Sequence, residues 1–334
     1  MKHDDNPWIE NYRPQSLNDV IGQEDIVKRL KYMVERTKQG DRSFSHLMFI
    51  GSAGTGKTSC ALALMKDLFG QSWQMNWKEL NASDDRGINV VRTEIKRFVR
   101  SAVLPDEKLG KVFNVIFLDE ADELTSEAQN ALKRTIERYS KTCRFILSVN
   151  HSTKVIAPIQ DRCARYRFKL IPILDIKNFI IEVAKKENIK IKKEACHAIG
   201  IYSKGSMRNA LNILYQASLQ PDEITEQDVV GIVGEIDPEL IGKLVLHAKR
   251  GNLEAVDKEL YKVYYGGYEM ESILKWIFDY ILKTDADPKT KASILAKLGD
   301  VQHYINTGDN PLLQLRCFFA WMAEKFLIQR SKKK

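Results

Sequence analysis

Gly51-Ser-Ala-Gly-Thr-Gly-Lys-Thr58 follows the apolar run Leu47-Met-Phe-Ile50 and precedes Ser59-Cys-Ala-Leu-Ala-Leu-Met65. Strand, glycine loop, helix is the setting in which G-x-x-x-x-G-K-[ST] forms a phosphate-binding loop. Glycines let the backbone wrap closely and turn its N–H groups inward, and the helix that starts there adds the positive end of its dipole. In this reading Gly51, Ser52, Ala53, Gly54, Thr55, Gly56 and Ser59 form the cradle. Lys57 reaches the β- and γ-phosphates, and the Thr58 hydroxyl is placed to bind Mg²⁺. The ligand implied is a nucleoside triphosphate, ATP, with Mg²⁺.

A second buried-strand pattern, Asn114-Val-Ile-Phe-Leu-Asp-Glu120, ends in two carboxylates. Ligands of open α/β sheets bind at the carboxyl ends of their strands. Asp119 there can orient Mg²⁺ through its water shell, and Glu120 is placed to polarise an attacking water. A third run, Arg144-Phe-Ile-Leu-Ser-Val-Asn150, puts Asn150 at the same kind of tip, within reach of a γ-phosphate or that water. Strands alternating with helices predict a parallel sheet covered on both faces.

Composition sets the bounds. The chain has 334 residues, 44% of them hydrophobic, which suits two or three globular domains. No apolar run approaches the ~20 residues of a membrane span, so no membrane partner is expected. Met1-Lys-His-Asp-Asp-Asn6 is polar, without a secretory apolar region. Cys60, Cys143, Cys163, Cys196 and Cys317 are scattered, with no C-x-x-C. That argues against a zinc ribbon or disulfide frame and for a reducing compartment, cytoplasmic or nuclear. A net charge of +8 points to an anionic partner such as nucleic acid, although the tail Arg330-Ser-Lys-Lys-Lys334 supplies part of it.

Two prolines and a glycine between residues 6 and 24 predict an extended segment laid over something else. Ile26, Leu30 and Val34 then mark a helix over 25–38. Asn89 to Ser101 also reads as a helix, with Val91, Ile95 and Phe98 on one face. Arg92, Lys96 and Arg100 share another face, with Arg97 beside them. Such a run is either a footprint for a phosphate backbone or a solvated face. After Pro172 the pattern becomes helical throughout. Arg208 opens a helix at Asn209, against the dipole, and calls for an anion such as a triphosphate. Five helices predicted between Leu240 and Gln329 carry no catalytic pattern, so they read as an assembly surface.

Taken together, the motifs resemble the small subunit of the clamp loader of the archaeal and eukaryotic type, the replication factor C family of AAA+ ATPases. The resemblance rests on Pro7-Trp-Ile-Glu-Asn-Tyr-Arg-Pro14, Gly51–Thr58 and Asn81-Ala-Ser-Asp-Asp-Arg-Gly-Ile-Asn89. It also rests on Phe117-Leu-Asp-Glu-Ala-Asp122, Ser148-Val-Asn150, Gln160-Asp-Arg-Cys163 and Gly205-Ser-Met-Arg-Asn209, and covers nearly the whole chain. It implies an α/β, RecA-like P-loop core with a parallel sheet (1–170), a helical lid (171–233) and an all-α collar (234–334).

The resemblance also implies roles. Ile9, Arg13, Val20 and Ile21 would wrap the adenine. Asn150 matches sensor 1 and Arg208 sensor 2, while Arg162 matches an arginine finger inserted in trans into a neighbour's ATP site. Arg86, Arg92, Lys96 and Arg100 become contacts to the DNA backbone, with Lys133 and Arg134 as further candidates. The implied partners are a clamp-loader large subunit and other small subunits in a pentamer, a PCNA-type sliding clamp, and primer–template DNA. The implied activity is DNA-stimulated ATP hydrolysis that opens and loads the clamp in replication. Two alternatives are a nucleotide-binding assembly subunit with impaired trans catalysis, and a different AAA+ DNA motor for branch migration or recombination. One departure stands out. The family usually reads Ser-Arg-Cys where this chain has Asp161-Arg162-Cys163. Asp161 could pair with the finger and hold it back, or merely cap a helix.

Overall fold

Three apolar runs and two mixed edge segments become the strands β1 (His46–Ile50), β3 (Asn114–Asp119) and β4 (Cys143–Val149), with β2 (Trp77–Asn81) and β5 (Cys163–Arg167) at the edges. They form one parallel sheet in the order β2-β3-β4-β1-β5. The computed structural model describes residues 7–41, 43–83, 87, 89, 91–100, 113–234, 238–268 and 270–331. The middle strands β1, β3 and β4 are almost wholly buried, as a sheet covered on both faces requires.

The order of strands creates the site. Ile50 pairs with Val149, and Leu118 with Leu147. The chain therefore leaves β1, β4 and β3 side by side, at Gly51, Asn150 and Glu120. Alternation along each strand sends side chains to opposite faces. Leu47, Phe49, Val115 and Phe117 pack with α2 (Glu24–Lys38) and α3 (Lys57–Phe69). Met48, Ile116, Leu118 and Leu147 pack on the other side, with α5 (Ser126–Tyr139) and the helix before it. That preceding helix is a π turn, Val91–Ile95, running into α4, Lys96–Arg100. Ile95 and Val99 are buried, and Phe98, partly buried, packs against the same core.

The segment expected to be extended is in part helical. Pro7 starts a single turn, α1 (Trp8–Asn11), and a 3₁₀ turn spans Leu17–Asp19. Proline at a helix start has no N–H to lose, which the expectation of an extended segment ignored. After β5 and the short α6 (Ala157–Gln160) that precedes it, three helices follow: α7 (Ile173–Lys186), α8 (Lys193–Tyr202) and α9 (Met207–Ala217).

The chain divides into two compact units, 1–224 and 225–334. The second contains α10 (Glu226–Val233), a helix not anticipated from the sequence although Thr225 and Asp228 form a capping box. It continues through α11 (Pro238–Arg250), α12 (Leu253–Tyr265), α13 (Met270–Lys283), α14 (Pro288–Asn306) and α15 (Pro311–Ser331). Leu244, Leu260, Ile277, Leu298, Phe318 and Phe319 meet in its core. Arg316 forms a two-point ion pair with Asp257 that ties α15 to α12. No described helix is long and apolar enough to cross a membrane.

His46 starts β1 and is 9% exposed. Its Nδ1 accepts the Phe145 N–H at 3.2 Å, which needs the neutral ring. Burial first, and then Arg144, lower its pKa from 6.5 to about 4. The unfolded chain takes up this proton as pH falls from 6.5, and the folded chain only near 4. His46 therefore costs stability across that window, by up to about 1.4 kcal/mol per pH unit, and nothing above it. Denaturation of His46→Gln should show a shallower loss of stability between pH 6.5 and 4. Parallel pH profiles for the two proteins would refute this assignment.

Candidate active site

Gly54 and Gly56 hold φ of +76° and +96°, conformations that side chains resist, and Gly56 caps α3. Lys57 follows in the first turn of that helix and is 7% exposed. Its ammonium donates to the carbonyls of Gly51 (2.6 Å) and Ser52 (3.0 Å) and to Asn150 Oδ1 (3.0 Å), using all three N–H groups. Burial lowers its pKa, while Asp119, Asp122 and Glu120 pull the other way. Gly51 and Ser52 thus act through Lys57 and do not line the cleft, whereas residues 53–59 do.

The Thr58 hydroxyl donates to Asp119 Oδ2 at 2.8 Å, which brings two hard oxygen donors together. No described cluster of three or more His, Cys, Asp or Glu residues could cage a metal. Two protein oxygens leave most positions to phosphate and water, and that suits Mg²⁺ better than Ca²⁺. Glu120 lines the cleft and has φ +52°, unusual for a residue with a side chain. Its N–H donates to Asp119 Oδ1 at 3.0 Å and its carbonyl accepts from Glu123, so the turn is held from both ends. Such strain costs on the order of 1–3 kcal/mol and gathers at functional sites.

Asp122 belongs to the motif that ends β3, yet its residue type and spacing point to no role. It is 5% exposed, and its carboxylate accepts the N–H groups of Asn150 (3.2 Å) and His151 (2.9 Å). This pins the tip of β4 to the turn after β3 and fixes where Asn150 presents its amide.

The opposite wall comes from α9. Met207 N–H donates to the Gly54 carbonyl at 3.0 Å, so the glycine loop touches the start of that helix directly. A Cβ on Gly54 would lie 1.9 Å from Ser206 Oγ. Arg208 lines the cleft and makes no ion pair among the described residues. Ile9, Arg13, Val20 and Ile21 line the same cleft. Tyr12, Phe179 and Leu211 join them there. Tyr12 packs edge-on against Phe179 and donates from its hydroxyl to Glu187 at 2.5 Å. Burial and the Glu187 carboxylate push its pKa up. Trp8 packs edge-on against Tyr215. Asp67 of α3 accepts the Leu17 N–H at 2.8 Å and so ties the segment to the phosphate-loop helix. Phe179 and Leu211 carry only the ordinary apolar spacing of a helix, so nothing in the sequence marked them as cleft residues.

Arg162 does not line this cleft. Its guanidinium donates to the Pro158 carbonyl at 2.6 Å and pairs with Glu137 of α5 at 2.5 Å. Asp161, the C-cap of α6, makes no ion pair with it among the described residues. The carboxylate that engages Arg162 is 25 residues away in sequence. The basic helix also acquires neighbours from another element. Lys96 opens onto a groove that it shares with Arg134, Arg138, Tyr139 and one acid, Glu127. Arg100 donates to the Tyr139 hydroxyl at 3.2 Å. Arg86 and the side chain of Arg92 lie outside the described residues. Arg138 carries no signal in the sequence, because it lies 42 positions from Lys96 and only the packing of α5 beside α4 joins them.

The family described as "ATPase family associated with various cellular activities (AAA)" matches residues 47–170, and "Replication factor C C-terminal domain" matches 236–321. The replication factor C small subunit of Methanococcus maripaludis is 42% identical over 317 residues, 95% of this chain and 98% of that protein. Those of Archaeoglobus fulgidus and Thermoplasma acidophilum are 39% and 41% identical, each covering 95% of this chain and 97% of the relative. Among solved structures, the Holliday junction branch migration motor RuvB of Thermotoga maritima superposes with a TM-score of 0.56. It is 20% identical and covers 79% of this chain and 90% of that one, a likeness of fold alone. With near-full-length matches at this identity and both domains in order, the chain belongs to the replication factor C small-subunit family of AAA ATPases.

Proposed function

We propose that this chain is the ATP-hydrolysing small subunit of a sliding-clamp loader, using ATP to open a PCNA-type ring and load it on primer–template DNA. One observation carries the reading. The phosphate loop, the acids of β3, Asn150 and Arg208 of α9 all face a single cleft. We read residues 1–170 as the nucleotide-binding core, 171–233 as its lid and 234–334 as the collar of a pentamer shared with a large subunit and other small subunits. The adenine lies against Ile9, Arg13, Val20 and Ile21.

In this mechanism Lys57 exchanges the carbonyls of Gly51 and Ser52 for phosphate oxygens, which are charged and stronger acceptors. Thr58 and Asp119 would hold Mg²⁺, which neutralises charge on the phosphates when bound. Glu120 takes a proton from the attacking water, and Asn150, set by Asp122, orients that water or the γ-phosphate. Arg208 binds the γ-phosphate from the lid. Arg162 serves the neighbouring subunit's site, where a guanidinium stabilises charge spread over the transferring phosphoryl oxygens. Its position outside its own chain's cleft supports that assignment. Glu137 then competes with the neighbour's nucleotide for it. An exposed pair of this kind is worth ~0–1 kcal/mol, so a triphosphate wins that competition.

The groove of Lys96, Arg134 and Arg138 supports a role in tracking duplex DNA through its phosphates, together with Arg86, Arg92 and Arg100. Contacts of this kind are independent of sequence and sensitive to salt.

Three outcomes are expected. Glu120→Gln in the assembled complex should bind ATP normally and lose single-turnover hydrolysis by about 10²-fold or more; retained turnover would remove Glu120 from the chemistry. Arg162→Ala should leave nucleotide affinity of the separate chain unchanged and slow hydrolysis in the oligomer by ~10³-fold or more. An equal loss in the separate chain would place Arg162 in its own site instead. Lys96→Glu with Arg138→Glu should weaken DNA-stimulated turnover and reduce the slope of log affinity against log salt by about 1 for each phosphate no longer bound. An unchanged slope would take the groove off the DNA path.

A further inference from the structure

Gln23 lies in the run Val20-Ile-Gly-Gln23 and is 4% exposed, yet it has no place in the chemistry above. Its side chain is fully engaged. Nε2 donates to the Lys169 carbonyl at 2.8 Å and to the Thr55 carbonyl at 3.3 Å, while Oε1 accepts the Lys169 N–H at 3.2 Å. Both amide hydrogens face carbonyls, which fixes the orientation of the amide. The partners are 32 and 146 residues away in sequence. Thr55 belongs to the phosphate loop. Lys169 belongs to the strip 168–172 that carries the chain from β5 into α7, and so from the core into the lid.

That strip is held at several points. Phe168 N–H donates to the Ile50 carbonyl at 2.7 Å, and Ile171 N–H to the Gly205 carbonyl at 3.0 Å, just before α9. Gly22, with φ +73°, lies so close that a Cβ there would meet Ile171 Cγ2 at 3.0 Å. The Gln23 amide completes this frame by pairing with Lys169 as a neighbouring strand would, while its second hydrogen holds the loop that grips the phosphates. The base-binding segment, the phosphate loop and the connection to the lid thus share one buried side chain.

We propose that Gln23 is a positioning residue that fixes the lid relative to the phosphate loop and thereby places Arg208 on the γ-phosphate. The proposal rests on the assignment of Arg208 made above. Breaking the link removes no group that touches nucleotide, but it frees the exit strip from the loop. ADP lacks the γ-phosphate and depends on the loop, which Thr55 Oγ1 and the Lys57 ammonium still brace from within through the Gly51 and Ser52 carbonyls, so it should bind much as before. ATP should lose the contribution of Arg208.

The test compares binding of ADP and of a non-hydrolysable ATP analogue to the full chain by calorimetry. Gln23→Met keeps the length of the side chain and removes all three hydrogen bonds. Its affinity for the analogue should fall about tenfold, with ADP within about twofold. Arg208→Ala should show the same pattern, and the double variant should be no worse than Arg208→Ala alone, since the two act through one contact. Gln23→Asn keeps the amide but is one methylene too short to reach both Lys169 and Thr55, so it should lie between wild type and Gln23→Met; it decides the matter should Gln23→Met fail to fold. If Arg208→Ala leaves the ratio of affinities unchanged, the sensor reading fails and this proposal with it. If Arg208→Ala lowers the ratio and neither Gln23 variant does, or if the losses simply add, the proposal alone is overturned.

Discussion

The buried ammonium of Lys57 is the charge on which the first unit depends. Removing a cation from water is tolerated only where its hydrogens are all accepted and opposite charge is near. Here two loop carbonyls and Asn150 accept, and Asp119, Asp122 and Glu120 supply the field. The sheet order β2-β3-β4-β1-β5 is what makes this possible. It sets the strand that ends in Asn150 directly between the strand that feeds the glycine loop and the strand that ends in acid. The same acceptors make the site responsive. Neutral carbonyls are weaker acceptors for an ammonium than charged phosphate oxygens, which is the basis of the exchange proposed for bound nucleotide.

Around that charge the groups that set the geometry of the cleft are held tightly. Asp122 fixes the tip of β4 by taking two backbone N–H groups, and Glu120 is held in a left-handed turn from both sides. The start of α9 touches the loop at Gly54, where no side chain could fit. Preorganisation of this sort lets a few groups act on developing charge without rearranging first. The groups assigned to act between subunits are held loosely. Arg162 rests on Glu137 at the surface, and Lys96, Arg134 and Arg138 stand in a groove open to solvent.

Motifs confined to one loop or one strand tip were legible in the chain, because their chemistry depends on covalent spacing. The glycine loop, Asp119, Glu120, Asn150 and the burial of Ile26, Leu30 and Val34 needed no knowledge of the fold. Legibility failed where local geometry departed from the regular period. The helix before β3 opens with a π turn that no regular period foresees, and Pro7 begins a helical turn in a segment expected to be extended. The carboxylate suspected of holding Arg162 was its neighbour Asp161, but Glu137 takes that place, since adjacency in sequence is not contact.

The sequence by itself determined the parallel α/β character, the glycine loop between strand and helix and the acids opposite it, since each is set by residue types at fixed short spacing. Tertiary structure alone decided the order of the strands, the roles open to Tyr12, Phe179, Asp122 and Arg138, and the engagement of Gln23 with Thr55 and Lys169. The physical reason is that these depend on contacts between segments tens to more than a hundred residues apart. Such contacts exist only once the apolar faces of sheet and helices have been buried against one another.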